Sequence, residues 1–222
     1  VKGGNVTTTS LTPPKATAAA PTAPSVSTAV TPPASKPRSI SSNNNEELVK
    51  NELMRAGAND PKQIAALMGQ MSHESSGFKA RTEIGNSDYF KKYDPNTRIG
   101  QKLGNKQEGD GERFKGRGFI QLTGRDNYAA AGKALGLDLI NNPELAAEPE
   151  NAAKIAVWYL KSRKNKQGQN GFDLAKSGDD VGLTKVINGG ENGLDDRLKR
   201  TQSYMAKYAG GLDSPPSASV ST

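Results

Sequence analysis

Two glutamates, Glu74 and Glu83, lie nine residues apart in a stretch that changes from apolar to polar. In a helix that begins at Pro61, Leu67, Met71 and Glu74 fall on one face, so Glu74 continues an apolar stripe. A carboxyl group that apolar neighbours shield from water tends to keep its proton, as a general acid must. A buried salt bridge or a cap on a neighbouring helix would also explain a glutamate at this position.

Glu83 follows a polar segment that Gly77 interrupts, so we expect it on a loop that folds back toward Glu74. In contact with water it would stay ionised, as a general base must. One carboxyl in apolar and one in wet surroundings is the pattern by which glycosidases divide acid from base. A solvated loop residue is the alternative. His73, the only histidine, points to another side of the helix from Glu74, and we interpret it as structural.

A second informative stretch is "GDGERFKGRGFIQLTGRDNY", residues 109–128. Its glycines allow a ligand to approach the backbone closely, and Gln121, Thr123 and Asn127 carry the uncharged groups that bind sugar hydroxyls and acetamides. Phe119, Ile120 and Leu122 favour a strand or hairpin here, in which Gln121 and Thr123 would point to the same face. An ordinary polar hairpin fits the same residues.

The two ends of the chain differ in composition from the middle. Residues 1–45 contain no aromatic and no acidic residue but seven of the thirteen prolines, and residues 209–222 are similarly rich in Gly, Pro and Ser. Such segments bury too little apolar surface to offset the entropy of ordering. We therefore expect linkers at 1–45 and 209–222, disordered and flanking one domain at 46–208, as in an internal module of a longer or processed polypeptide.

Charge and composition exclude several classes of protein. Four basic residues precede the domain and one acid follows it, so that +4 of the formal net charge of +7 falls on 46–208. This excess suits an anionic polymer, but aromatic residues are not interleaved as nucleic-acid binding would require. The chain has no cysteine and no second histidine, so we expect neither a metal site nor a cofactor. No stretch is apolar enough for a signal peptide or a membrane-spanning helix.

Helical signals dominate the domain. Asn45 is the expected N-cap of a first helix that Gly57 stops, and Asp60-Pro61 begins a second. Further helices are predicted at "DNYAAAGKALG", "PENAAKIAVWYLKSR", 181–187 and "GLDDRLKRTQSYMAKY". Glycine-rich turns fill the stretch between Gly85 and Gly124. The pattern predicts a mostly α (α+β) domain with a small hairpin and one long irregular insertion.

Several blocks occur together in order: "SHES", a second glutamate soon after, "GDG…FKGRGFIQLTGRDNY", "VINGG" and a closing arginine-rich helix. Over about residues 46–208 they resemble glycoside hydrolase family 19, the chitinase family, in the compact form found in bacteriophage lytic enzymes. The resemblance implies a lysozyme-like fold and inverting hydrolysis of β-1,4 bonds between N-acetylated amino sugars. It implies Glu74 as general acid, Glu83 as general base and Thr123 as the holder of the attacking water. The implied substrate-binding positions are Gln121, Asn127, Tyr128 and Asn188, with Arg200, or else Arg197, supporting the catalytic centre.

Departures from the plant-type pattern leave alternatives open. The short spacing between the glutamates puts the base in doubt, and Glu108, Asp110 and Glu112 are possible substitutes. "ESSGF" followed by "GFIQ" also resembles lytic transglycosylases, although these need only one catalytic acid. A non-catalytic wall-binding tail module is a third reading.

The resemblance does not separate peptidoglycan from chitin, and we favour peptidoglycan because the domain is compact, lies between linkers and resembles phage proteins. We accordingly expect a phage virion or tail, or release to the bacterial cell wall or periplasm, as the location. Other phage tail or baseplate proteins could join through the linkers.

Overall fold

The computed structural model describes residues 42–79 and 81–212 of the chain. Within these residues the fold is mostly helical, as predicted, and the predicted linkers fall outside them except for 42–45 and 209–212. The helices are α1 (Ser42–Arg55), α2 (Pro61–Glu74), α3 (Ser87–Phe90), α4 (Arg98–Lys102), α5 (Asp110–Arg113), α6 (Arg125–Leu135), α7 (Pro149–Ser162), α8 (Gly171–Ser177), α9 (Asp180–Asn188) and α10 (Leu194–Lys207). Short 3-10 helices lie at Lys91–Tyr93 and Pro143–Ala147. No helix in the described part of the chain is long and apolar enough to cross a membrane.

Helix α2 is the central element. The Asp60 side chain accepts hydrogen bonds from the backbone N–H groups of Lys62 and Gln63 at 2.7 and 3.1 Å, which confirms the predicted start of the helix. Every residue from Gln63 to Ser72 is buried. A helix that is surrounded on all sides has little freedom to shift, so the residues at its end are held firmly in place.

Helix α10 packs directly on α2 at Gly69. A Cβ atom added to Gly69 would lie 2.4 Å from Oγ1 and 2.8 Å from the backbone nitrogen of Thr201. Only glycine permits this approach of the two backbones. The close crossing fixes how α10 presents its arginines to the end of α2.

The segment that joins the two glutamates is fixed at Phe78. This residue is 2% exposed and has a left-handed φ of 59°, which is unfavourable for a bulky side chain. Its ring meets that of Phe119 edge to face at 6.3 Å, and the Asn45 side-chain amide donates to its carbonyl at 2.9 Å. These contacts hold the turn that leads the chain from α2 toward Glu83.

Two short antiparallel strands, β1 (Arg81–Thr82) and β2 (Arg117–Gly118), follow from this turn. Arg81 lies opposite Gly118, and Thr82 lies opposite Arg117. The predicted strand at 119–123 is wrong: β2 ends at Gly118, and the chain turns through Gln121, which has a φ of 52°, to bring Leu122 back to Arg117. The hairpin is present, but its turn falls on the residues whose apolar run suggested a strand.

Two apolar clusters form the core. The larger one joins α1, α2, α7 and α8, and the smaller one surrounds Phe114, Tyr128 and Leu139. Helix α7 contributes to both, since Ala156 faces the first cluster and Ile155 the second. This helix therefore ties the segment that carries β2 to the central helices.

The structure differs from the predicted elements at a few other places. Helix α1 begins at Ser42, so Asn45 lies within the first turns and is not the N-cap. Helix α8 was not predicted, and the expected irregular insertion contains the short helices α3, α4 and α5. The predicted helices α6, α7, α9 and α10 are present, and α6 ends at Gly136 as expected.

Candidate active site

Glu74 is the last residue of α2, and its carboxylate pairs with an arginine of α10. Arg197 Nη2 donates to Glu74 Oε1 at 2.6 Å, and the two side chains are 3% and 23% exposed. The surroundings of Glu74 are therefore not the purely apolar ones that the stripe on α2 suggests. The alternative of a salt bridge, which the sequence also allowed, describes this contact.

Arg197 donates a hydrogen bond from each of its three side-chain nitrogens. Its Nη1 donates to Gln70 Oε1 at 2.6 Å, and its Nε donates to the carbonyl of Asn192 at 3.0 Å. Gln70 in turn donates to Thr184 Oγ1 at 3.0 Å, which connects α2 with α9. Arg197, Gln70 and Thr184 are buried, so removing one of these side chains would leave its partners without a hydrogen bond.

Arg200, the arginine preferred from sequence, does not contact Glu74. Its Nε donates to Asp196 at 2.6 Å and its Nη1 donates to Ser72 Oγ at 2.9 Å. It lies one turn further along α10, and the helical rotation points it to the other side of α2. Arg197, the arginine less favoured from sequence, is thus the one that contacts Glu74.

His73 shares the partner Asp196 with Arg200, in agreement with its interpretation as a structural residue. Its Nδ1 lies 2.6 Å from Asp196 Oδ2, and its ring packs against Gly193. The hydrogen bonds from Arg200 and from His73 hold the pKa of Asp196 at about 2. Asp196 therefore joins the end of α2 to the start of α10.

Glu83 lies directly after β1 and is held by four groups. The Tyr89 and Tyr93 hydroxyls donate to its Oε1 at 2.9 and 3.0 Å, and the Lys92 ammonium lies 3.8 Å from the same oxygen. The backbone N–H of Gly116 donates to Oε2 at 3.0 Å. Burial alone would raise the pKa of Glu83, but these donors and the lysine together hold it below its ordinary value. The side chain is 18% exposed, and its surroundings favour the ionised carboxylate.

Gln121 and Thr123 meet Glu83 beside Gly116. A Cβ atom at Gly116 would lie 2.9 Å from Gln121 Oε1, 3.2 Å from Glu83 Oε2 and 3.4 Å from Thr123 Oγ1. The three side chains converge although 119–123 is a turn and not a strand. Because glycine has no side chain, the space between these oxygens stays open.

Asn127 lies beside the same group. Its amide donates to the Thr123 carbonyl at 2.7 Å, and its Oδ1 accepts from Arg163 Nη2 at 3.4 Å. The Arg163 guanidinium lies 4.7 Å from the centre of the Tyr159 ring. Burial and the negative charge of Glu74 raise the pKa of Tyr159, whereas Arg163 lowers it. Tyr159 thus lies within electrostatic range of Glu74, and contacts run from Tyr159 through Arg163 and Asn127 to Thr123.

Tyr128 is not available to a substrate. It is 0% exposed, its hydroxyl donates to the Lys115 carbonyl at 2.7 Å, and Arg117 Nη1 donates to that hydroxyl at 2.9 Å. Burial raises its pKa to about 12. The assignment as a substrate-binding residue is therefore wrong, because helix α6 directs this ring into the smaller core cluster.

Asn188 ends α9 and shapes the turn that follows. Its side-chain amide donates to the Asn192 carbonyl at 3.0 Å, and its Oδ1 accepts from the Gly190 backbone at 2.8 Å. The same Asn192 carbonyl accepts from Arg197. Asn188 is thus linked to Glu74 through the turn, and its predicted contact with substrate stays a prediction.

The alternative bases differ in their contacts. Asp110 is 1% exposed and receives two hydrogen bonds from Arg125 and two from backbone N–H groups. Burial alone would raise its pKa, but these partners hold it below the usual value, and they contact both of its oxygens. Glu112 accepts from Ser87 Oγ at 2.9 Å at the surface, and Glu108 is exposed. Neither lies with Gln121 and Thr123 beside Gly116, as Glu83 does.

Comparison with known proteins agrees with these features. The family model described as chitinase class I of glycoside hydrolase family 19 matches residues 54–173, which include Glu74, Glu83 and Thr123. A glycosyl hydrolase family 19 domain-containing protein of Haemophilus influenzae is 34% identical over 183 residues, covering 72% of this chain and 86% of the relative. The chain belongs to glycoside hydrolase family 19.

Other relatives extend the comparison to plants and to solved structures. Acidic endochitinase Q of Nicotiana tabacum is 30% identical over 172 residues, which cover 70% of this chain and 63% of that protein. The crystal structure of chitinase C from Streptomyces griseus matches with a TM-score of 0.57 at 21% identity, covering 79% of this chain and 94% of that one. A second bacterial family 19 chitinase has a TM-score of 0.58 at 20% identity, covering 78% and 87%. The structural likeness shows the lysozyme-like fold, and the family shows that this domain is a glycosidase.

Sequence reasoning missed several residues of this family 19 site. Lys92, Tyr89 and Tyr93 approach Glu83 from the insertion, and Arg163 approaches Asn127 from the end of α7. The spacing of the two tyrosines at four residues was a usable signal, since on one helical turn both hydroxyls reach the same side. Among the described residues no group of three or more histidine, aspartate or glutamate side chains is placed to bind a metal ion.

Proposed function

We propose that this family 19 domain hydrolyses β-1,4 glycosidic bonds in the glycan strands of bacterial peptidoglycan with inversion at the anomeric carbon. The observation that carries the proposal is the contrast between the two glutamates. Glu83 is surrounded by donors that favour its ionised form, whereas Glu74 lies at the end of a buried helix with one arginine on one of its oxygens. Such a contrast is how glycosidases separate the base from the acid.

Glu74 acts as the general acid in this mechanism. Arg197 occupies Oε1, so the second carboxyl oxygen is the one that presents the proton to the departing sugar oxygen. Proton transfer leaves a carboxylate, and the guanidinium stabilises that charge as it forms. The buried bond from Arg197 to Gln70 and the partly buried bond to the Asn192 carbonyl keep the guanidinium in place without reorganisation.

Glu83 acts as the general base toward a water molecule. The open space beside Gly116 has Glu83 Oε2, Gln121 Oε1 and Thr123 Oγ1 around it, so a water there would have up to three partners. Glu83 takes a proton from this water while the water oxygen attacks the anomeric carbon. Thr123 orients the water molecule for this attack. A lytic transglycosylase has no use for such a second carboxylate, and a non-catalytic module has no use for either, so these arrangements favour hydrolysis.

Peptidoglycan is the proposed substrate, with chitin as the alternative that the names of the plant relatives favour. The support for peptidoglycan is the net charge of +4 on residues 46–208 and the likeness to a bacterial family 19 protein. We further propose that the domain acts as a phage lytic module, in a virion or tail protein or released at the bacterial wall. The support is the Pro-, Ala-, Thr- and Ser-rich composition of the flanking segments.

Two measurements on the purified chain test the proposal. Purified sacculi should release reducing ends, and proton NMR on freshly cleaved glycan should show the α-anomer before mutarotation. The β-anomer or 1,6-anhydro ends would contradict the inverting mechanism. Cleavage of chitin oligosaccharides without any release from sacculi would instead identify the domain as a chitinase.

A further inference from the structure

One segment of the domain carries an unusual concentration of positive charge. Residues 151–172 contain five basic residues and no acidic residue, which gives this short stretch a formal charge of +5. The net charge of the whole domain, residues 46–208, is +4. The basic residues of the stretch are Lys154, Lys161, Arg163, Lys164 and Lys166. Four of the five are exposed, Arg163 being half-buried.

The end of this segment is an ordered loop. Lys164 forms an antiparallel bridge with Asn170, and the Asn165 side chain accepts hydrogen bonds from the backbones of Gln167 and Gln169 at 3.0 and 2.9 Å. The Asn165 amide also donates to the Gln169 side chain at 2.9 Å. The loop is held from inside by these bonds, and Lys164 and Lys166 point outward from it.

The loop begins at the candidate active site. Arg163, its first residue, contacts Asn127, which in turn contacts Thr123 beside Glu83. Lys161 is committed elsewhere, because its ammonium donates to the Ala56 carbonyl at 2.6 Å. Among the described residues no carboxylate forms an ion pair with Lys164 or Lys166, so their charge is directed to solvent at this side of the site.

We infer that the loop of residues 163–170, which we term the basic loop, recognises carboxylate groups on the substrate. The inference rests on the proposed function: peptidoglycan strands carry peptide stems with free carboxylates, whereas chitin is neutral. Lys164 and Lys166 would attract these stems as the strand enters the site and raise its local concentration there. The basic loop is then the feature by which this domain prefers an anionic glycan to a neutral one of the same backbone.

The experiment removes the charge either from the lysines of the basic loop or from the carboxyl groups of the substrate. The variant Lys164→Gln/Lys166→Gln leaves Asn165 and its hydrogen bonds in place, and Lys62→Gln/Lys176→Gln is the matched control. Lys62 lies at the far end of α2, twelve residues and thus about 18 Å along the helix from Glu74. The substrates are native sacculi and sacculi whose carboxyl groups have been amidated with a carbodiimide and a neutral amine. Release of reducing ends is measured at about 20 mM and about 500 mM salt, where screening is weak and strong respectively.

At low salt we expect the basic-loop variant to cleave native sacculi about three- to tenfold more slowly than the wild type in kcat/KM, and the control variant to be unchanged. The wild type should fall to the same level on amidated sacculi, and at high salt the difference should disappear. Equal rates for the basic-loop variant and the wild type on native sacculi at low salt, or an equal loss in the control, would overturn the inference and leave the proposed function intact. Failure of the wild type to cleave either kind of sacculi would instead overturn the proposed function.

Discussion

The two candidate catalytic glutamates are held in opposite ways. Glu74 has one strong partner, Arg197, which is buried between α2, α9 and α10 and donates a hydrogen bond from each of its three side-chain nitrogens. Glu83 has four separate partners, which come from the insertion and from a backbone amide. A change near Glu74 should therefore disturb folding and catalysis together, whereas a change near Glu83 should have graded effects on catalysis alone.

Replacing each carboxylate by an amide tests whether both glutamates are needed for catalysis. Glu74→Gln should reduce hydrolysis of sacculi below detection, because the leaving oxygen then has no proton donor. Glu83→Gln should reduce kcat by about 10²-fold or more, since the water loses its base. Both are measured as release of reducing ends, with thermal unfolding as the control for folding. A fully active Glu83→Gln would remove Glu83 as the base, and Glu108→Gln and Glu112→Gln would be the next variants to measure.

The two arginines of α10 allow a matched test of the network behind Glu74, because Arg197 contacts Glu74 and Arg200 does not. Arg197→Gln leaves a partly buried carboxylate and a buried amide without their partner, so the free energy of unfolding should fall by about 3 kcal/mol and activity should be nearly lost. Arg200→Gln removes partly buried contacts of a side chain that is 35% exposed, and should cost about 1 kcal/mol. Urea unfolding and kcat are measured on both variants. Equal effects would mean that the network behind Glu74 has no special role.

The crossing of α2 and α10 should be sensitive to a single methyl group. In Gly69→Ala the new Cβ would meet the backbone nitrogen of Thr201 at 2.8 Å, so the helices must move apart. We expect a loss of about 1–3 kcal/mol in the free energy of unfolding and a moderate loss of activity, since Arg197 moves with α10. Gly190→Ala is the control for stability, because its Cβ would meet nothing closer than 3.9 Å. An unchanged unfolding midpoint for Gly69→Ala would show that the crossing is not tightly packed.

The same contrast explains what the sequence could predict. The periodicity of α2, with Asp60-Pro61 at its start, placed Glu74 at the end of this helix, as observed, because helix signals are local. Arg197 could not be separated from Arg200 by sequence alone, since the choice depends on the rotation of α10 against Gly69. The surroundings of Glu83 depend on the pairing of β1 with β2, in which Arg81 lies opposite Gly118, 37 residues further along the chain, and no local pattern reports such a contact. Tyr128 was misassigned because a motif indicates a position and not the direction in which the ring points.

The smallest effects are expected from the tyrosines that donate to Glu83. Tyr89→Phe and Tyr93→Phe each remove one hydroxyl that favours the ionised carboxylate, so each raises the pKa of Glu83 toward its ordinary value. The base must be ionised to act. A raised pKa therefore leaves less of it active in acid, and the acidic limb of the profile of kcat/KM against pH should move to higher pH. Well above that limb each single variant should stay within about threefold of the wild type, as expected for one neutral hydrogen bond.

The double variant should shift the limb further than either single one, because two independent donors are lost. Tyr208→Phe is the control, since the structure gives the buried Tyr208 hydroxyl no hydrogen-bond partner among the described residues, and its profile should match the wild type. An acidic limb that does not move in the double variant would show that the hydroxyls do not control the ionisation of Glu83. The double variant should also stay more stable than Arg197→Gln. An equally large loss of stability would contradict the distinction between Glu74, which has one buried partner, and Glu83, which has several partners.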